Sequence, residues 1–141
     1  MAYAPISTGE YLIRNVGRRT FAAIEDSEDR TPLTAIDSRS SDYVRWNVIH
    51  VRNGYYNFQN VGSNTYANAG IGATVGDSIG GVHYRPQRFM ILESPVHGQY
   101  IIATDGSRLR WTVTDDQPDT PITLTDTSPG ANTRWIFERI G

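Results

Sequence analysis

Three stretches of this 141-residue chain share one outline, and the interval between them is nearly constant. Tyr11 heads Y-L-I-R-N-V-G, Tyr56 heads Y-N-F-Q-N-V-G and Tyr100 heads Y-I-I-A-T-D-G, with steps of 45 and 44 residues. A second marker, Arg45-Trp46, Arg88-Phe89 and Arg134-Trp135, recurs at 43 and 46 residues. A third joins the outer units: TPLTAID at 31–37 returns as TPITLTD 89 residues later, which is two periods. The middle unit departs at that marker and reads TVGDSIGG at 74–81. A repeat of this length is a supersecondary unit that cannot bury its apolar face alone and must pack against its copies.

Each unit is built of strands. EYLIRNV (10–16), YYNFQNV (55–61) and QYIIATD (99–105) are short, rich in Tyr, Ile, Val and Phe, and bounded by Gly or Asn. VRWNVIHV (44–51), RFMILESP (88–95) and TRWIFERI (133–140) alternate around a central aromatic. No apolar i, i+3, i+4, i+7 pattern lasts three turns, and 13 Gly and 7 Pro punctuate the chain throughout. A propeller needs about four blades. Three four-stranded units can instead close a sheet on itself, which removes the exposed edges that invite aggregation. The expectation is therefore an all-β single domain over 1–141: a β-trefoil of twelve strands, with repeats at about 9–52, 53–96 and 97–141. The three polar loops after the tyrosines are then one loop used three times. Trp46, Phe89 and Trp135 are expected to be buried and to meet on the threefold axis. Tyr66 matches Phe21 and Leu109 in the repeat.

Charge and composition exclude several functions. Thirteen basic and 15 acidic residues give a net charge of −2, so nothing favours nucleic acid as partner. No apolar run reaches the roughly 18 residues of a membrane span, which argues against membrane insertion. The N-terminal MAYAPISTGEY lacks the pattern of an export signal, and there is no Cys, so a cytoplasmic location is expected. His50, His83 and His97 are isolated, with no metal-ligand spacing. No G-x-S-x-G or phosphate-cradling loop is present, and the glycines of GIGATVGDSIGG come without a Lys. The chain is expected to be no enzyme and to use no metal or cofactor.

The unit Y-x-I-x-N, closed about 30 residues on by Arg-Trp or Arg-Phe, resembles the ricin-B-type β-trefoil lectins over Gly9 to Ile140. It is most similar to the small, Cys-free mushroom lectins, in the stretches NVGSNTYANAGIG, RTPLTA and TRWIFERI. The resemblance implies glycans or glycoproteins as partners, a defensive role, and, because paired sites gain avidity, leaves a homodimer open. Family units end in Gln-x-Trp, whose Gln packs behind an acid that holds the sugar. The Gln positions here read Val44, Gln87 and Thr133, so a galactose-type site in every unit is not expected, and the middle unit alone keeps the glutamine.

Sugar recognition needs an exposed aromatic face with planar amides or charged groups beside it. The middle unit offers this mixture in Tyr66 and Asn68 on one loop and His83, Tyr84, Arg85 and Gln87 on the other, where the symmetry also breaks. Two readings stand for Tyr66, a sugar platform or the apolar position of the repeat. Two also stand for Trp111, a core side chain or a second platform beside Asp115 and Asp116, which themselves read as a solvated turn. A rival similarity is to the mushroom trefoil protease inhibitors of the cospin and cnispin type, carried by IEDSEDRTPLTA and WTVTDDQPDTPITL. It implies a protease as the alternative partner, met by a basic residue on a rigid loop: Arg18 and Arg19, or Arg30.

Overall fold

The computed structural model describes residues 3–127 and 130–140. Unit one contributes β1 (Gly9–Asn15), β2 (Phe21–Ala23), β3 (Thr31–Pro32), β4 (Thr34–Ile36) and β5 (Arg45–Arg52). Unit two contributes β6 (Tyr55–Asn60), β7 (Tyr66–Asn68), β8 (Gly80–Val82) and β9 (Phe89–Glu93). Unit three contributes β10 (Tyr100–Ala103), β11 (Arg110–Thr112), β12 (Thr120–Pro121), β13 (Thr123–Thr125) and β14 (Trp135–Arg139). Among the described residues there are fourteen strands rather than the twelve expected, because the Thr-Pro segments β3 and β12 each pair for two residues. All-β architecture follows from the period-two pattern: in β6, Tyr56, Phe58 and Asn60 point inward while Tyr55, Asn57 and Gln59 do not.

Six strands form a closed ring, β1-β5-β6-β9-β10-β14 and back to β1, all antiparallel. The hairpins β2-β4, β7-β8 and β11-β13 cap one end. The cap is closed cyclically. The Leu33 amide donates to the Ile79 carbonyl (2.7 Å), Ile79 to Ile122 (3.4 Å) and Ile122 back to Leu33 (2.9 Å), and all three side chains are fully buried. Ile79 thus fills the place of the Thr-Pro-Leu and Thr-Pro-Ile segments although its own stretch reads Asp-Ser-Ile.

The opening loops are one loop used three times. The Asn15, Asn60 and Thr104 amides donate to the carbonyls of Thr20, Thr65 and Leu109, each five residues on. The register places Phe21, Tyr66 and Arg110 opposite Arg14, Gln59 and Ala103. The residue equivalent to Tyr66 is therefore Arg110, not Leu109, which lies one place earlier.

Trp46, Phe89 and Trp135 are fully buried in equivalent places. They do not form a ring cluster with one another. Trp111 stands between Phe89 (5.2 Å, edge-on) and Trp135 (6.3 Å, edge-on) and also touches Phe58 (5.2 Å). Its counterparts on β2 and β7 are Ala22 and Ala67. One large ring in unit three thus replaces space that small residues leave in the other two, which keeps the core filled. The indole N–H of Trp46 donates to the Ala22 carbonyl (2.9 Å) and that of Trp135 to the Trp111 carbonyl (3.2 Å). The buried Trp111 N–H has no partner among the described residues.

Candidate carbohydrate-binding site

The site lies where the middle unit departs from its copies. In units one and three a 3-10 turn, Asp42–Val44 and Ala131–Thr133, precedes the Arg-Trp pair. Each turn is seated on the opening loop of the next unit around the barrel. Buried Asn60 donates its Nδ2 to the Tyr43 carbonyl (2.8 Å), and buried Asn15 does the same to Asn132 (2.8 Å). The seats are tight. A Cβ added to Gly62 would lie 2.8 Å from Tyr43, and one added to Gly17 would lie 2.5 Å from Asn132. The middle unit has no such turn among its described residues: Arg85, in the place of Asp42, has left-handed backbone (φ 65°), and the proline after it disfavours helical backbone there. On the loop it should cover, Thr104 replaces the asparagine, and a Cβ at Gly106 would meet one side-chain atom at 3.8 Å.

The missing turn leaves two open depressions on either side of a ridge made by Gly70 and Ile71. The larger, about 870 Å³, lies over the vacant seat and runs from Thr74 and Val75 to Thr104, Asp105, Arg108 and Leu109. Its far wall is braced by Asp105, which accepts from the Tyr55 hydroxyl (2.5 Å) and pairs with Arg88 (2.9 Å). The Tyr55 hydrogen bond, helped by Arg88, holds the Asp105 carboxyl below the usual carboxylate range. Arg88 also lies over the Tyr55 ring at 4.4 Å.

The smaller depression, about 590 Å³, gathers Asn68, Tyr84, Arg85 and Gln87 from the middle unit with Asp29 and Arg30 from the first. Gln87 is its brace: Oε1 accepts from the Ala69 amide (2.5 Å), and Nε2 donates to the Gly70 carbonyl (3.2 Å). Val44 and Thr133, at the same place in the other units, are buried instead. Asn68 donates Nδ2 to the Arg85 carbonyl (2.8 Å), and its Oδ1 accepts from Gly70 (2.7 Å). It ties the two loops together and keeps one amide hydrogen and one lone pair for a ligand. Tyr84 is 82% exposed, with its ring open to solvent.

Four of the seven residues singled out from sequence therefore line one depression: Asn68, Tyr84, Arg85 and Gln87. Tyr66 and His83 do not line it. Tyr66 is half-buried at the start of β7, in the place held by buried Phe21 in unit one. The exposed His83 turns to the first unit, its Nε2 lying 2.7 Å from the Ser27 carbonyl. Trp111 is corrected outright: with no exposed surface and rings on several sides, it cannot present a face to a sugar. Asp115 caps its own turn by accepting from Gln117 and Thr120, as Asp26 does from Glu28 and Thr31 in the first unit. Asp29, Arg30 and Ile71 were not read from the sequence as part of a sugar site, Arg30 being singled out for the inhibitor alternative alone. The first two arrive through the β3-β8 pairing, in which the Arg30 amide donates to the Gly81 carbonyl (2.7 Å), a contact between units that no local pattern announces.

The basic residues of the inhibitor alternative are not offered on an extended loop. Arg18 is drawn onto unit three, with Nη1 3.1 Å from Asp116 and Nη2 donating to the Thr114 carbonyl (2.8 Å). Arg19 and Arg30 have left-handed backbone, φ 62° and 66°, whereas strand-addition recognition requires an extended chain.

No protein-family model and no curated protein matches the sequence. Solved structures do match in shape. The chain is similar to the designed threefold-symmetric protein ThreeFoil, at TM-score 0.87 and 15% identity over 94% of this chain and 99% of that one. It is similar to the Rhizoctonia solani agglutinin, at 0.86 and 20% identity over 97% and 100%. It is also similar to the Macrolepiota procera ricin B-like lectin, solved with lactose, at 0.85 and 17% identity over 97% and 99%. The fold common to these structures and to this chain is the β-trefoil.

Proposed function

We propose that the protein is a lectin, a non-catalytic carbohydrate-binding β-trefoil whose site is the depression around Tyr84. The observation that carries this reading is the placement of Tyr84. A ring 82% exposed stands in a shallow depression beside an amide and a guanidinium, and the loops beneath are fixed by Asn68 and Gln87. An aromatic face accepts the C–H surface of a pyranose, and polar groups at its edge take the hydroxyls. The likeness to an agglutinin and to a lactose-bound lectin supports it. A glycosidase would need two facing carboxylates, and Asp29 is the one carboxylate among the residues lining this depression.

A glycan array probed with the labelled protein tests the proposal. Binding to a defined set of glycans is expected, and Tyr84→Ala should weaken it by about fivefold or more, the value of one lost aromatic contact of about 1 kcal/mol. Its melting temperature should stay within a few degrees of the parent's, since an exposed substitution changes stability by about 0.5 kcal/mol or less. Binding that survives Tyr84→Ala unchanged would remove the site from this depression.

A further inference from the structure

We propose that the Tyr84 depression takes glycans bearing an acid group, a carboxylate or a sulfate ester, and that Arg85 is the residue that reads it. This rests on the depression being the carbohydrate site and names the class of sugar that it selects.

Three features of Arg85 converge. All 13 basic residues of the chain are arginines, and six of them are ion-paired within the molecule. Arg14 and Arg39 share Glu138, Arg45 holds Glu10, and Arg88 holds Asp105. The Arg85 guanidinium makes no ion pair or hydrogen bond among the described residues, although it borders a concave surface.

The second feature is its backbone. Arg85 has φ 65°, a region that disfavours side chains with a Cβ, and it directly precedes Pro86, which restricts it further. Glycine or asparagine would sit there with less strain. The Asn68 amide holds the Arg85 carbonyl at 2.8 Å and keeps the segment in place. Arg19 and Arg30 share this left-handed backbone, so the strain supports the assignment through its combination with the place of Arg85 on the depression.

The third feature is the surrounding charge. Asp29, the one carboxylate among the residues lining the depression, lies 4.0 Å from Arg30, so its charge is already faced by a cation. The rim is left with one uncompensated positive charge next to the exposed Tyr84 ring. A guanidinium is planar and weakly hydrated, and it meets a carboxylate or sulfate with two parallel N–H donors. With the pyranose lying on Tyr84, an acid substituent at its edge would meet that fork.

The experiment uses matched pairs of immobilised glycans, sialylated against desialylated and sulfated against unsulfated, with inorganic sulfate and free sialic acid as competitors. The acid-bearing member of at least one pair should bind about tenfold more tightly, the size of one charge-assisted contact. That advantage should shrink between 50 and 500 mM NaCl, roughly a threefold change in screening length. Arg85→Asn, which suits the left-handed backbone, should abolish the advantage, so that the acid-bearing and neutral members of a pair bind alike. Equal binding of both members, still sensitive to Tyr84→Ala, would overturn the acid preference and leave the carbohydrate site standing. A preference that survives Arg85→Asn would overturn the assignment to Arg85. Competition by inorganic sulfate as strong as by the sulfated glycan would overturn it in favour of a simple anion site. No binding to any glycan would overturn both this inference and the reading beneath it.

Discussion

Replacing Trp111 by phenylalanine should be nearly neutral, while the same change at Trp135 should be costly, although both indoles are fully buried. Both changes remove two ring carbons from the core, about 1.6 kcal/mol at ~0.8 kcal/mol per buried methylene. The difference lies in the indole N–H. At Trp135 it donates to the Trp111 carbonyl at 3.2 Å, so its loss adds about 1 kcal/mol for the hydrogen bond, giving a total of about 2.5 kcal/mol. At Trp111 the N–H has no partner, and deleting a buried orphan donor returns about 1–3 kcal/mol of desolvation cost. The two terms nearly cancel. For a chain of this length 1 kcal/mol moves the melting temperature by about 3 °C, so Trp111→Phe should melt within about 3 °C of the parent and Trp135→Phe about 8 °C below it. Thermal and urea unfolding on the three proteins under one condition would measure both. A loss for Trp111→Phe equal to that for Trp135→Phe would mean that the Trp111 N–H is satisfied, and the cancellation argument would be wrong.

Gly17→Ala and Gly62→Ala should each destabilise by about 1–3 kcal/mol in denaturant unfolding, because the added methyl meets the seated 3-10 turn at 2.5 Å and 2.8 Å. Unfolding followed across pH should show an acid limb. Hydrogen bonds hold Asp26, Asp105 and Asp115 below the usual carboxylate value, so their contribution is present above an unfolded pKa of about 3.9 and is lost as pH falls through the lower folded values. Glu25 acts in the opposite sense: the hydrogen bond with Asp119 raises its pKa, so its contribution is present at acid pH and lost as pH rises through the raised value. Replacing Asp105 by Asn should make the acid limb shallower. A trypsin assay should detect no stoichiometric inhibition, since Arg18 is tied to Asp116 and Arg19 has left-handed backbone; tight inhibition lost on replacing this pair would restore the inhibitor reading.

The fold was legible because a trefoil repeats its strongest signals. The Tyr, Arg-Trp and Thr-Pro markers recur at one interval, and each names a residue that the structure places equivalently. The strand count was less legible, since β3 and β12 are two-residue pairings created by contact between units. Trp111 was ambiguous for a related reason. Leu109, Arg110 and Trp111 can be read in either parity, and only the pairing of Arg110 with Ala103 fixes which one occupies the place of Ala22 and Ala67. The site was half legible. Departure from symmetry pointed to the 83–87 stretch, but the depression also needs Asp29 and Arg30, which are distant in sequence and arrive through the cap.

The central claim, that the middle unit carries the carbohydrate site, is tested most directly by a backbone amide NMR titration with the glycan that ranks first on the array. The account predicts amide chemical-shift changes concentrated at Asn68–Ile71 and at Tyr84, Arg85 and Gln87, with Arg30 following from the first unit. Changes centred instead on the equivalent surfaces of the first or third unit, around Ala23 or Thr112, with Tyr84 and Arg85 unmoved, would contradict it.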